Sequence, residues 1–160
     1  MIIKNMLIFN KNLWRIKMSN KIAVIYWSAT GNTELMAQNV KKGIENAGAE
    51  ADICSVSSFD SANIDNYSKL ALGCPAMGAE VLEESEFQPF YDSIRDKLSN
   101  KKVALFGSYD WGDGEWMRIW QEDVNSAGGS LVKEGLIANL TPDDNAINEC
   151  IKLGEELAKA

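Results

Sequence analysis

The stretch that most restricts how this chain can fold is residues 22–33. The apolar run Ile22-Ala23-Val24-Ile25-Tyr26-Trp27 breaks abruptly into Ser28-Ala29-Thr30-Gly31-Asn32-Thr33 and then into a helical pattern. A short apolar run, a hydroxyl- and Gly-rich turn and a 3.6-residue period read as buried strand, tight connection and helix. A helix N-terminus presents unpaired N–H groups and the positive end of the aligned peptide dipoles, so an anion is held there favourably. The turn has no Lys followed by Ser or Thr to reach a β/γ-phosphate, and no G-x-G-x-x-G for a pyrophosphate. It suits a terminal monophosphate held by neutral donors. The same composition also describes a plain capped turn, so the rest of the chain decides.

After Met18 the alternation recurs. Short apolar runs at 22–27, 51–56, 69–74 and 102–107, with a fifth inside 130–138, are separated by longer segments of helical period. Met36, Val40, Ile44 and Ala47 share one helical face. So do Phe87, Phe90 or Tyr91, Ile94 and Leu98, and likewise Trp116, Trp120, Val124 and Ala127. A last helix is expected with Thr141 as cap, Pro142 at its first position and Asp143 and Asp144 in its first turn, running through Ile147, Ile151 and Leu157. Segment 57–67 is less regular. Strands alternating with helices specify a parallel sheet covered on both sides, and 160 residues suit one such domain. The expected fold is a single doubly wound five-stranded α/β domain.

Composition narrows the chemistry. The chain contains no His, which removes the commonest general base, the commonest metal ligand and any Ser-His or Cys-His nucleophile pair, and so disfavours conventional hydrolysis. Cys54, Cys74 and Cys150 form no C-x-x-C, so neither a disulfide framework nor a zinc site is indicated and a reducing cytoplasm fits. No apolar run approaches the roughly 20 residues needed to cross a bilayer. All 23 acidic residues lie beyond residue 17, whereas Lys4, Lys11, Arg15 and Lys17 lie within the first 17 residues. The body of the protein is therefore strongly acidic, repelling nucleic acid and anionic lipid and favouring basic partners. Residues 1–17 read as an extension apart from the domain at 18–160, disordered or the product of an upstream start, with Met18-Ser19-Asn20-Lys21 as a second start. A weak amphipathic arm is the alternative, and a secretory signal is not indicated.

In an open parallel sheet, ligands lie beyond the carboxyl ends of the strands where strand order reverses. The loops after the first, third and fourth strands qualify. They carry Ser-x-Thr-Gly-Asn-Thr at 28–33, Ala-Met-Gly-x-Glu-Val-Leu-Glu-Glu at 76–84 and, running from strand end to helix, Phe-Gly-Ser-Tyr-x-Trp-Gly-Asp-Gly-x-Trp-Met at 106–117. Together these motifs resemble the flavodoxins of the short-chain, clostridial-like bacterial type, over residues 21–160. The resemblance implies strand order 2-1-3-4-5, no long insertion in the fifth strand, and a non-covalent FMN.

On that resemblance the FMN phosphate rests on Ser28, Thr30, Asn32 and Thr33 and on backbone N–H groups of a turn that includes Ala29 and Gly31. The flavin lies between Pro75-Ala76-Met77-Gly78-Ala79-Glu80 and Ser108-Tyr109-Asp110-Trp111-Gly112. Trp111 stacks on one ring face and Met77 packs near the other, while Trp27, Trp116 and Trp120 belong to the core. The carbonyl of Gly78 turns to accept the proton that flavin N5 gains in the semiquinone, and Glu80 accepts from flavin N3–H. Glu80, Glu83, Glu84, Glu86, Asp110 and Asp113 form an acidic rim that makes the fully reduced flavin a strong reductant. Ala79 stands where close relatives carry Asp, and Asp110 where they carry Gly. The implied function is a low-potential one-electron carrier between redox enzymes with basic docking patches, monomeric, cytoplasmic and not itself an enzyme. An FMN-dependent NAD(P)H or quinone reductase on the same fold is the alternative, though it needs a substrate pocket over the flavin and these loops are short. A phosphoacceptor receiver domain shares the strand order but needs clustered Asp after the first strand, where Ser28-Ala29 stands.

Overall fold

Ile22 and Val24 pack on one side of the first strand and Ala23 and Ile25 on the other, all four buried. A strand covered on both faces has no solvent side to fill with polar residues, which is why it reads as an unbroken apolar run. The computed structural model describes residues 21–160. The extension expected at 1–17 and the second start at Met18 lie outside the described residues.

One parallel sheet contains β1 (Lys21–Tyr26), β2 (Glu50–Ser55), β3 (Lys69–Gly73), β4 (Lys102–Tyr109), β5 (Ser130–Leu131) and β6 (Leu136–Asn139). Their order is β2-β1-β3-β4-β5, with β6 also beside β4. The order 2-1-3-4-5 is therefore present, but the single fifth strand expected within 130–138 is split. Val103 pairs with Leu131 and Phe106 with Leu136, so five steps along the edge oppose three along β4 and the segment between them bulges out. Lys133, on the bulge, reaches Glu156 at 3.4 Å and Glu149 at 3.8 Å, and the Gly135 N–H donates to Gln121 Oε1 at 2.6 Å.

Helices α1 (Asn32–Asn46) and α4 (Asp144–Lys159) cover one face of the sheet. Helices α2 (Phe87–Ile94) and α3 (Glu115–Ser126), with the 3-10 turns of the 56–66 segment, cover the other. The buried stripes of the first three helices follow their apolar spacing, with Trp116 and Trp120 deep in the core. Trp120 stands edge-on to Phe87 at 5.4 Å and to Tyr91 at 6.2 Å, and Trp116 Nε1 donates to the Cys74 carbonyl at 3.2 Å.

Helix α4 departs from expectation twice. Its buried stripe is Cys150, Leu153, Gly154 and Leu157, leaving Ile147 and Ile151 half-buried at its flank. The reason is close helix contact: a Cβ on Gly43 would lie 1.9 Å from the Ile151 carbonyl oxygen, and one on Gly154 would lie 2.0 Å from that of Val40. Backbone meets backbone there, and glycine is required on both helices. The cap is Asp143, whose Oδ1 accepts the Ala146 N–H at 2.8 Å; Thr141 instead donates its hydroxyl to Asn32 Oδ1 at 3.3 Å.

Candidate functional site

Helix α1 starts directly after Gly31, whose φ of 93° is a left-handed conformation that a side chain would strain. The Gly31 N–H donates to Ser28 Oγ at 3.1 Å, closing the turn. The first N–H with an intrahelical acceptor is that of Leu35, on the Gly31 carbonyl at 2.9 Å, so the preceding N–H groups are free to meet an anion. Glu34, also in the first turn, accepts the Tyr26 hydroxyl at 3.2 Å, a bond that orients its carboxylate and leaves its charge in place. Thr33 is buried, with its Oγ1 3.0 Å from Ser108 Oγ and accepting the Ser108 N–H at 3.3 Å. That contact clamps the turn to the end of β4.

A cavity of about 190 Å³ opens beside this turn. Ser28, Ala29, Thr30, Asn32 and Thr33 line one side, Pro75, Ala76 and Met77 a second, and Ser108, Tyr109, Asp110 and Leu140 the remainder. Through Ala76, Met77 and Asp110 it continues into a second cavity of about 230 Å³, also walled by Gly78, Glu80 and Trp111. Trp111 is 62% exposed. A large aromatic so placed on one loop, sharing a slot with a thioether from another, is suited to a flat apolar ring.

The slot is shaped by a tight turn. Met77 and Val81 pair antiparallel, N–H to carbonyl at 2.8 and 2.9 Å, which leaves residues 78–80 as the tip. Gly78 (φ 50°) and Glu80 (φ 54°) are both left-handed, a conformation that costs a non-glycine residue of the order of 1 kcal/mol or more. The Glu80 carboxylate supplies the compensation. Its Oε1 accepts the N–H groups of Asp113, Gly114 and Glu115 at 3.1–3.2 Å, capping α3 and fastening the 77–81 turn to the loop that carries Trp111. A Cβ on Gly112 would lie 2.4 Å from the Glu80 carboxyl carbon, so glycine there makes room for the cap.

The expected acidic rim is divided by these contacts. Glu83 is 5% exposed and belongs to the loop framework: it accepts the Ser85 N–H at 2.7 Å, the Ser85 hydroxyl, and the N–H groups of Glu86 and Phe87 at 2.8 Å each. Burial pushes its carboxyl up, but the bonds from the Ser85 hydroxyl and these N–H groups outweigh it and hold the group below the ordinary carboxylate value. Asp113 pairs with Arg118 at 2.8 Å, which holds that carboxyl down as well. Glu84, Glu86 and Asp110 remain as exposed acids without a cation partner among the described residues. Cys74, whose Sγ lies 3.4 Å from the Glu83 N–H, has its thiol pushed up out of the reactive range by burial.

The expected site residues converge on this cleft, except that Gly31, Ala79 and Gly112 line neither cavity. The two glycines act through backbone conformation, and Ala79 is exposed at the turn tip. Sequence reasoning missed the loop after β6. Leu140, at φ 56° and half exposed, walls the cavity beside the 28–33 turn, held by its N–H on the Tyr109 carbonyl at 2.8 Å. Asn139 Nδ2 reaches the carbonyls of Tyr109 and Asp110 at 3.2 Å each. The available signal was the switch-point rule itself, which also covers the loop after the fifth strand.

Free helix N–H groups and hydroxyls at one end, and an aromatic–thioether slot at the other, fit a ring system carried on a chain that ends in phosphate, as in FMN. The Flavodoxin family model matches residues 24–154. The flavodoxin of Clostridium beijerinckii is 49% identical over 135 residues, covering 84% of this chain and 97% of that one. That of Megasphaera elsdenii is 43% identical over 142 residues, covering 87% and 99%. The solution structure of two-electron reduced Megasphaera elsdenii flavodoxin superposes with a TM-score of 0.81 at 42% identity, covering 87% of this chain and 99% of that one. Oxidised flavodoxin 1 of Bacillus cereus gives 0.77 at 31% identity, covering 87% and 97%. The chain belongs to the flavodoxin family, whose members bind FMN and carry electrons.

Proposed function

We propose that the protein works as a low-potential, one-electron carrier and not as an enzyme, acting as a cytoplasmic monomer that passes electrons between partners with basic docking surfaces. The observation that carries this reading is the slot shared by Met77 and Trp111: it has room for a flat ring and leaves Trp111 at the surface. No helix among the described residues is long and apolar enough to cross a membrane.

Each residue has a task in this reading. Ser28, Thr30 and Asn32, with the N–H groups at the start of α1, hold the phosphate, while Thr33 and Ser108 fix the turn through their mutual bond. Trp111 and Met77 cover the ring and exclude water from its faces. When bound, FMN supplies reversible uptake of one or two electrons, with a proton exchanged at N5. The Gly78 carbonyl would accept a hydrogen bond from the ring N5–H; left-handed and with open space where a Cβ would stand, Gly78 permits either orientation of the peptide. Glu80 keeps Oε1 on the α3 cap and offers Oε2 to the ring N3–H. Exposed Glu84, Glu86 and Asp110 oppose added negative charge on the ring, an effect that is modest for each carboxylate alone.

The test is stepwise anaerobic reduction of the FMN-loaded protein, followed by visible absorption. A long-wavelength band that peaks at one electron per FMN is the expected result. Direct passage to the two-electron state together with steady NADH or quinone turnover would replace the carrier reading with a reductase, and failure to bind FMN would remove both.

A further inference from the structure

Beside the cleft, a groove of about 300 Å³ runs between α2 and α3. Tyr91, Trp116 and Trp120 form its floor, and Val81 and Ile119 stand at its edge, 40% and 56% exposed. Two of the four large apolar side chains left exposed among the described residues therefore border one hollow, a concentration that marks interaction sites. The groove is contiguous with the flavin slot because Glu80 lines both. The Trp120 indole N–H is buried and has no hydrogen-bond partner among the described residues, so its resonance reports on what packs against that ring.

The charge around the groove selects what can enter. Its one cation, Arg95, is held by Asp123 at 2.9 Å, and the same carboxylate oxygen takes the Tyr91 hydroxyl at 2.6 Å. Asp92 on α2, Glu84 and Glu86 ahead of it, and Glu115 and Glu122 on α3 are all exposed. An anionic nucleotide or phosphopeptide meets a repulsive field here, whereas a cationic segment is attracted.

We propose that this groove is a docking slot for a redox partner's surface segment in which one apolar side chain is flanked by lysine or arginine. The apolar group fills the hollow over Trp120 and the cations meet the acids on α2 and α3, so the partner is registered next to the flavin without covering it. The carrier reading supplies the nature of the partner; the chemistry of the slot stands on the groove alone.

The experiment is an NMR titration of the ¹⁵N-labelled, FMN-loaded protein with acetyl-Lys-Phe-Lys-amide, and in parallel with acetyl-Glu-Phe-Glu-amide. Saturable shifts of the Trp120 indole N–H and of the Val81 and Ile119 amides are expected with the cationic peptide. Binding should be about tenfold weaker or worse for the acidic one, a difference of about 1.4 kcal/mol. Ile119→Ser, at an exposed position, should weaken the cationic peptide while leaving the visible spectrum of bound FMN unchanged. Equal response to both peptides, an unchanged response in Ile119→Ser, or absence of saturable shifts at these residues would overturn the proposal. The reduction titration described above is independent of the peptide, so the slot can fail while the carrier reading stands, and the reverse.

Discussion

The two ends of the cleft are built on opposite principles. At the proposed phosphate end the groups on offer are neutral hydroxyls and helix N–H groups, knitted into the interior by the buried Thr33–Ser108 contact. At the ring end the walls are exposed turns, with Gly78 and Glu80 in left-handed backbone and carboxylates spent on fastening loops to helices. On the proposed function, the neutral donors at the start of α1 would set how tightly FMN is held, and the strained, acidic wall what it does once held. The comparison therefore predicts that affinity and potential are separable, each addressed by its own residues.

The largest effect that could break this division is at the phosphate end. Replacing Ser28 and Thr30 together by Ala should weaken FMN binding about 100-fold or more, since a hydrogen bond to a charged group contributes about 1.5–3 kcal/mol. The potentials of the bound flavin should barely move; fluorescence titration gives the first quantity and spectroelectrochemistry the second. A comparable shift in potential would mean that the two ends are not separable.

Next in size is Glu83→Ala, which removes the acceptor for the N–H groups of residues 85–87. Thermal unfolding should report a loss of about 2 kcal/mol, the upper end for a helix cap. Because the folded-state carboxyl is held below its ordinary value of 4.5, its contribution is present above that pH and disappears as pH falls through the lower folded value. The wild type should therefore lose its stability advantage over the variant in acid, and a gap independent of pH would show that Glu83 acts by packing alone.

Gly78→Ala should lower the yield of the one-electron state while FMN stays bound. The bond concerned contributes about 0.5–1.5 kcal/mol, or up to about 60 mV, taking about 1.4 kcal/mol per 59 mV for one electron. An unchanged yield in the reductive titration would remove the peptide-turn role. Smallest is Asp113→Asn, because its pair with Arg118 lies in solvent, where an ion pair is screened and contributes little to stability. Urea unfolding should show little change, and a large one would mean that the pair orders the Trp111 loop.

What was legible in the sequence follows from what sequence patterns can encode. Strands such as Leu70-Ala71-Leu72 and the phosphate turn are local features, fixed by apolar runs and by hydroxyls ahead of a helix. The bulge between Leu131 and Leu136 was not legible, because Val132-Lys133-Glu134 alternates just as a continuing edge strand would. Glu80 and Glu83 look identical to solvated acids in a string of letters; only the fold brings N–H groups to them. Leu140 was missed because nothing in a leucine announces a left-handed backbone, and Asp143 displaced Thr141 as cap because Asp is the stronger of the two cap formers and the Thr141 hydroxyl is taken by Asn32.

Two glycines let α1 and α4 meet backbone to backbone: a Cβ on Gly43 would lie 1.9 Å from the Ile151 carbonyl oxygen, and one on Gly154 would lie 2.0 Å from that of Val40. The tilt of α1 is therefore set by α4 with no side chain between them to absorb a change. A substitution at either glycine, far from the cleft, would push the two helices apart and displace the free N–H groups at the N-terminus of α1.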